Sequence, residues 1–199
     1  MDDHATIRAR MRDARINLSP AQRIAAAEAL VSSLDRLPEF LVDSRVAGYW
    51  AVGGELPLNM VFARLQARRQ TYHLPILDRA KHLRFAVWQP GVPLQSNRFG
   101  IPEPEVKFGE QLPPTALELV FVPLLGFDRK GSRLGSGGGY YDRSFSFLQS
   151  ASRPAEPILV GIGYHFQEVE ELAPRPWDVA MDFVATDREL ISCAPAGLS

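Results

Sequence analysis

"RVAGYWAVGGELPLNMVFARLQARRQTYHLPIL", residues 45–77, sets the fold class. Its two ends, "RVAGYW" at 45–50 and "TYHLPIL" at 71–77, are short apolar runs that read as buried strands. Between them Val61, Phe62 and Leu65 recur at helical spacing, so a helix opens at Pro57 or Asn59 and runs to Arg69. Strand, helix and strand in about thirty residues make a βαβ unit, and such units favour a parallel sheet.

The flanking sequence extends this pattern. "LRFAVW" at 83–88 reads as an antiparallel strand near an edge. Residues 89–114, rich in proline and glycine, read as a long loop, and long loops in compact domains are often functional. "LELVFVPLLGF" at 117–127 is the most apolar strand, "YYDRSFSFLQS" at 140–150 a helix, "PILVGIGY" at 157–164 a buried strand and "VAMDFVAT" at 179–186 the last strand. Residues 5–15 set Ile7 and Met11 among arginines and read as a helix. A second helix follows: Ser19 is its N-cap, Pro20 suits the first position and Gln22 completes a capping box. Ile24, Ala27, Val31, Leu34 and Leu37 carry it to about Leu37, with Pro38 near its end. The expected architecture is a three-layer α/β/α domain with a mostly parallel, Rossmann-like sheet and a helical N-terminal arm. One domain spans residues 1–199, with the N-terminal helices in 1–40 and the sheet core in 41–190.

The composition is that of a soluble globular chain: 199 residues, 46% hydrophobic and 23% charged. Twenty-two basic and 23 acidic residues give a net charge of −1, which argues against a general nucleic-acid binder. The lone Cys193 makes no intramolecular disulfide and reads as a bystander thiol in a tail. The N-terminus has no apolar signal region and no apolar run spans a bilayer, so the reading is a soluble, cytoplasmic protein without a membrane partner.

The chemistry concentrates in "RLGSGGGYYDR", residues 133–143. Gly135, Gly137, Gly138 and Gly139 carry a large entropic cost on folding, which calls for a reason. The stretch follows the most apolar strand and opens a helix, where glycines let backbone N–H groups approach an anion. Arg133 can clamp a phosphate, and Asp142 can hold a Mg²⁺ attached to it. The loop is not a Walker A sequence, because no Lys-Ser or Lys-Thr follows the glycines. It also fails G-x-G-x-x-G, since Tyr140 stands at the last glycine. The plainer alternative is a glycine turn feeding a helix, with Arg133 and Asp142 as a surface ion pair. No pair of His or Cys residues has zinc spacing and no G-x-S-x-G elbow is present.

"VPLLGFDRKGSRLGSGGGYYDR" at 122–143 resembles the signature of the 5-formyltetrahydrofolate cyclo-ligases, also called methenyltetrahydrofolate synthetases. "IRARMRDARINLSPAQR", "GYWAVGGELPL", "FGIPEPE" and "WDVAMDFVAT" match further segments of that family in the same order. The resemblance implies ATP- and Mg²⁺-dependent conversion of 5-formyltetrahydrofolate to 5,10-methenyltetrahydrofolate. The formyl oxygen attacks the γ-phosphate, the N10 nitrogen closes the ring, and ADP and phosphate are released. It implies ATP binding by His4, Arg8 and the run Arg133, Leu134, Gly135, Ser136, Gly137, Gly138, Gly139, Tyr140 and Tyr141. Within that run Arg133, Tyr140 and Tyr141 are the implied catalytic residues. Trp50 and Glu55 take the folate substrate, with or without a polyglutamate tail, and Asp142 and Asp178 take the metal. A monomer is expected. Two positions depart from the family pattern, which often has lysine at His4 and arginine at Ser136; Arg10, Arg129, Lys130 and Arg143 are cations available to compensate. Two other functions stay open: an α/β enzyme acting on a phosphorylated sugar, and a catalytically silent folate- or nucleotide-binding relative.

Overall fold

The computed structural model describes residues 3–193; the outermost residues of the expected 1–199 span lie outside it. Three helices lead: α1 (His4–Ile16), α2 (Pro20–Leu34) and α3 (Pro38–Val42). Ser19 and Gln22 form the expected capping box at α2. Pro38, expected near the end of that helix, instead occupies the first turn of α3, where its missing N–H leaves nothing unsatisfied.

The βαβ unit follows as β1 (Arg45–Ala47), α4 (Asn59–Ala67) and β2 (Thr71–Leu77), and β3 (Leu83–Val87) returns antiparallel to β2. Residues 89–114 are not wholly loop, because β4 (Leu94–Ser96) and β5 (Pro102–Pro104) pair as a small hairpin. The central strand β6 (Leu119–Pro123) leads into a second hairpin, β7 (Gly126–Phe127) and β8 (Arg133–Leu134). Then come α5 (Tyr140–Ser144), β9 (Ile158–Ile162), β10 (Phe183–Ala185) and β11 (Leu190–Ser192).

The seven-stranded sheet runs β11-β10-β9-β6-β1-β2-β3. Pairing is parallel from β10 through to β2, and antiparallel only at the two edges. Alternation along the central strands feeds two cores. Leu119 and Phe121 of β6 and Ile158 and Val160 of β9 face the layer made by α2, α3 and α4. Val120, Val122 and Leu159 face the opposite layer, with Phe145 and Leu148. Both faces of each strand are therefore buried, which is why these stretches read as unbroken apolar runs. The edge ring of Phe40 on Phe121 at 6.0 Å fixes α3 against the sheet.

Three expectations are corrected. The helix expected over 140–150 stops at Ser144 and continues as a 3-10 turn over 146–150. Phe145 leaves helical geometry (φ −110°, ψ 14°) as its fully buried ring packs 6.1 Å from Phe85, so core packing overrides helical continuity. The strand expected over 179–186 shrinks to β10 and is not the last, since β11 covers its outer edge. Cys193 is no tail residue: it is 6% exposed in the second core, and burial pushes its thiol up to about 12.

The order of strands locates the site. From β1 the chain builds outward through β2 and β3; from β6 it builds the other way through β9 and β10. The switch point lies between β1 and β6, and open α/β sheets bind ligands at the carboxyl ends of such strands. α1 lies at this end, with Ile7 and Met11 on Leu125, Leu134 and Leu172. Among the described residues no helix is long and apolar enough to cross a membrane.

Candidate active site

A cavity of about 530 Å³ opens at the carboxyl ends of β1 and β6. One wall is the loop between β8 and α5. Gly137 (φ +100°) and Gly139 (φ +64°) adopt backbone angles that side chains rarely reach. A Cβ at Gly138 would lie 2.8 Å from the Tyr140 ring, and no described residue beyond its chain neighbours comes within 4 Å of one at Gly137. Arg8 Nε donates to the Gly135 carbonyl at 2.9 Å, and Arg143 Nη2 to the Gly138 carbonyl at 2.5 Å. The loop's carbonyls are thus held by arginines. Among the described residues no acceptor takes the N–H groups of Ser136, Gly137, Gly138 or Gly139.

Behind this loop Arg133 Nη2 donates to Asp142 Oδ1 at 2.6 Å, with the side chains only 6% and 15% exposed. The pair exists, but it is buried rather than a surface pair. Asp142 Oδ1 also accepts the Val179 N–H at 3.2 Å, while buried Arg133 Nε has no partner. Asp178 holds the Arg175 N–H through Oδ2 at 2.8 Å. Burial, then the nearby Arg175 and Arg12 charges, push the Arg8 guanidinium below its ordinary value.

The opposite wall is the turn after β1. Tyr49 donates its hydroxyl to the Leu56 carbonyl at 2.7 Å, and Glu55 Oε2 accepts the Val52 N–H at 3.0 Å. Burial raises the Glu55 carboxyl above the ordinary range; the Val52 bond and the Arg15 charge oppose it. Trp50 meets Trp88 edge-on at 5.6 Å. Tyr141 is pushed up by burial and by Glu55, so its phenol stays protonated and able to donate. Tyr140 is bonded by Arg98 and meets Phe99 edge-on at 6.0 Å.

Every candidate read from the sequence borders this one cavity: His4 and Arg8 from α1, Trp50 and Glu55, the run from Arg133 to Asp142, and Asp178. Of the cations expected to compensate at the glycine loop, Arg129 is committed to Glu168 and Glu189, and Lys130 to Glu171. Arg143 braces the loop. Sequence reasoning missed Tyr49, Phe99, Arg175 and Trp177, which also line the cavity. Phe99 lies in the long segment marked as functional. Arg175 sits in a proline-rich stretch without periodicity, which gave no signal, and Trp177 opens the quoted segment "WDVAMDFVAT" but was given no role of its own. His165, in the turn after β9, lies off the cavity wall, and its N–H bonds Asp187 at 2.6 Å.

A glycine-lined cradle facing an aromatic wall across a switch point places the chain among the α/β enzymes. The comparisons sharpen this. The sequence profile of the 5-formyltetrahydrofolate cyclo-ligase family matches residues 1–187. The 5-formyltetrahydrofolate cyclo-ligase of Haemophilus influenzae is 35% identical over 177 residues, covering 88% of this chain and 92% of that one. The Escherichia coli K12 enzyme of the same name is 30% identical over 178 residues, covering 88% and 96%. The solved structure of Aquifex aeolicus 5,10-methenyltetrahydrofolate synthetase superposes with a TM-score of 0.80 at 29% identity, covering 98% of this chain and 96% of that one. The chain belongs to the 5-formyltetrahydrofolate cyclo-ligase family, a class of ligases in folate metabolism.

Proposed function

We propose that this chain converts 5-formyltetrahydrofolate to 5,10-methenyltetrahydrofolate at the expense of ATP, with Mg²⁺, releasing ADP and phosphate. The observation that carries the ATP part is the set of unclaimed N–H groups from Ser136 to Gly139, lining the same cavity as Trp50 and Glu55. Such a row of donors suits phosphate oxygens, and the glycine backbone leaves room for them. Mg²⁺ commonly takes one or two carboxylates plus substrate phosphates, which matches Asp142 and Asp178 on one cavity.

When bound, ATP supplies the phosphoryl group that turns the formyl oxygen into a leaving group. The chain's residues position and neutralise rather than act as strong bases. Arg133, fixed by Asp142, presents a cation behind the cradle. Arg8 and His4 bring α1 to the same end, and Tyr140 and Tyr141 offer phenol donors where the two ligands would meet. Trp50 gives the flat folate ring an apolar face, and Glu55 accepts hydrogen bonds from its N–H edge. The activity is assigned to one cytoplasmic domain acting as a monomer, on folate with or without a polyglutamate tail.

The test is growth of the methenyl-folate absorbance band with protein, 5-formyltetrahydrofolate, Mg²⁺ and ATP. ATP-dependent growth is expected; folate binding without growth would point to a silent relative. Asp142→Asn should raise the Mg²⁺ needed for half-maximal rate by roughly tenfold, the worth of one charged ligand contact. Unchanged Mg²⁺ dependence would remove Asp142 from the metal's ligands.

A further inference from the structure

Arg15 is not on the cavity wall, yet its charge acts on Glu55. It sits in the last turn of α1 and is only 4% exposed. Arginines this buried are ordinarily paired. Here Nη1 reaches the Leu124 carbonyl at a long 3.4 Å, and buried Nε has no partner. No described carboxylate lies within ion-pair distance of it.

The turn that carries Glu55 is built on this residue. A Cβ at Gly54 (φ +76°) would stand 3.0 Å from the Arg15 carbonyl oxygen, so the two backbones are already in contact. A Cβ at Gly53 would lie 3.7 Å from Arg15 Nη2. The Arg15 carbonyl is in turn held by Arg23 Nη2 at 3.0 Å. Val52 closes the turn by donating to Glu55 Oε2, and no described residue donates to Oε1.

We infer that Arg15 is a positioning residue: a buried counter-charge that fixes the Glu55 turn from behind and keeps its carboxylate charged for the substrate. The charged groups around the two agree with this. Arg15 feels Glu55 first among its neighbours, then Tyr49, Tyr164 and Arg12. Glu55 is faced by Arg15, Tyr49 and Tyr141, and of these only Arg15 carries positive charge. Burial favours the neutral acid, so the guanidinium opposes burial. The functional consequence rests on the folate reading. A tetrahydropterin edge offers adjacent N–H donors, and an ionised carboxylate accepts with both oxygens, whereas a protonated one spends an oxygen as donor.

The experiment follows the Glu55 carboxyl by ¹³C NMR against pH in side-chain-labelled protein, with the signal assigned through Glu55→Gln. In Arg15→Met the Glu55 titration is expected to move to higher pH, and Arg15→Lys should keep it near wild type. The acid limb of kcat/KM for folate should move the same way. KM for folate at neutral pH should rise about tenfold, the loss of one charge-assisted hydrogen bond, with KM for ATP unchanged. Should Arg15→Met not fold, Arg15→Gln is read in its place. A folded variant with an unmoved Glu55 titration overturns the inference, whatever its melting temperature. If the titration moves but Glu55→Gln keeps wild-type KM for folate, Arg15's hold on Glu55 stands and the substrate role of Glu55 falls.

Discussion

Two glycine turns face each other across the cavity, and they use glycine for opposite reasons. At Gly54 the space of a missing side chain is filled by the protein itself, the carbonyl of Arg15. At Gly137 no described residue beyond its chain neighbours comes within 4 Å of where a Cβ would stand. Each turn is backed by a buried arginine, but Arg133 is locked to Asp142 while Arg15 has no described carboxylate at contact distance. One turn is closed against its own fold; the other stands open to the cavity. A glycine is informative about function where the room it leaves is still vacant of protein.

The sharpest break of this comparison is Arg133→Met. It strands a mostly buried Asp142 carboxylate and should cost about 3 kcal/mol of stability. Activity should fall roughly a thousandfold, the scale of losing a preorganised charge partner. Denaturant melts and steady-state rates read both; full activity would reduce Arg133 to a structural role.

Next come the glycines as a pair. Gly54→Ala meets both a left-handed backbone and a backbone carbonyl, so about 2–3 kcal/mol of stability should be lost. Gly137→Ala meets only the backbone term, about 1–2 kcal/mol, but should raise KM for ATP roughly tenfold as its methyl intrudes on the open side. Equal stability losses with equal KM values would erase the distinction between the two turns.

The smallest effect lies away from both turns, at a carboxyl perturbed by burial together with neighbouring acids. Asp43 is raised to about 6 by burial, then by Glu118, Glu39 and Glu156. Its folded state binds the proton more tightly than the unfolded chain, so stability should fall as pH rises from about 4 to about 6. Asp43→Asn should flatten that fall and gain about 1 kcal/mol at neutral pH, after allowing for solvent screening. Melting temperatures of both proteins across that range check it; parallel curves would refute it.

The parallel core was legible because β6 and β9 are buried on both faces and announce themselves as apolar runs. β11 was not, because Leu190–Ser192 is three residues long and has meaning only beside β10. The glycine loop was legible as a turn worth explaining, and Trp50 and Glu55 through the family resemblance; all three border one cavity. What the one-dimensional pattern lacked was depth. Arg133 and Asp142 were rightly paired but placed at the surface, and Arg15 looked like one more cation on a basic helix. Which of several arginines is buried depends on what Leu124, Gly54 and Leu172 do far along the chain.

The anchoring of α1 also has a consequence in time. Its apolar stripe, Ile7 and Met11, is covered by Leu125, Leu134 and Leu172, and Arg8 reaches Gly135. α1 is therefore translated well before the surface on which it docks. During synthesis this helix has no native place to rest until Leu172 has left the ribosome, and its greasy side stays uncovered through that wait.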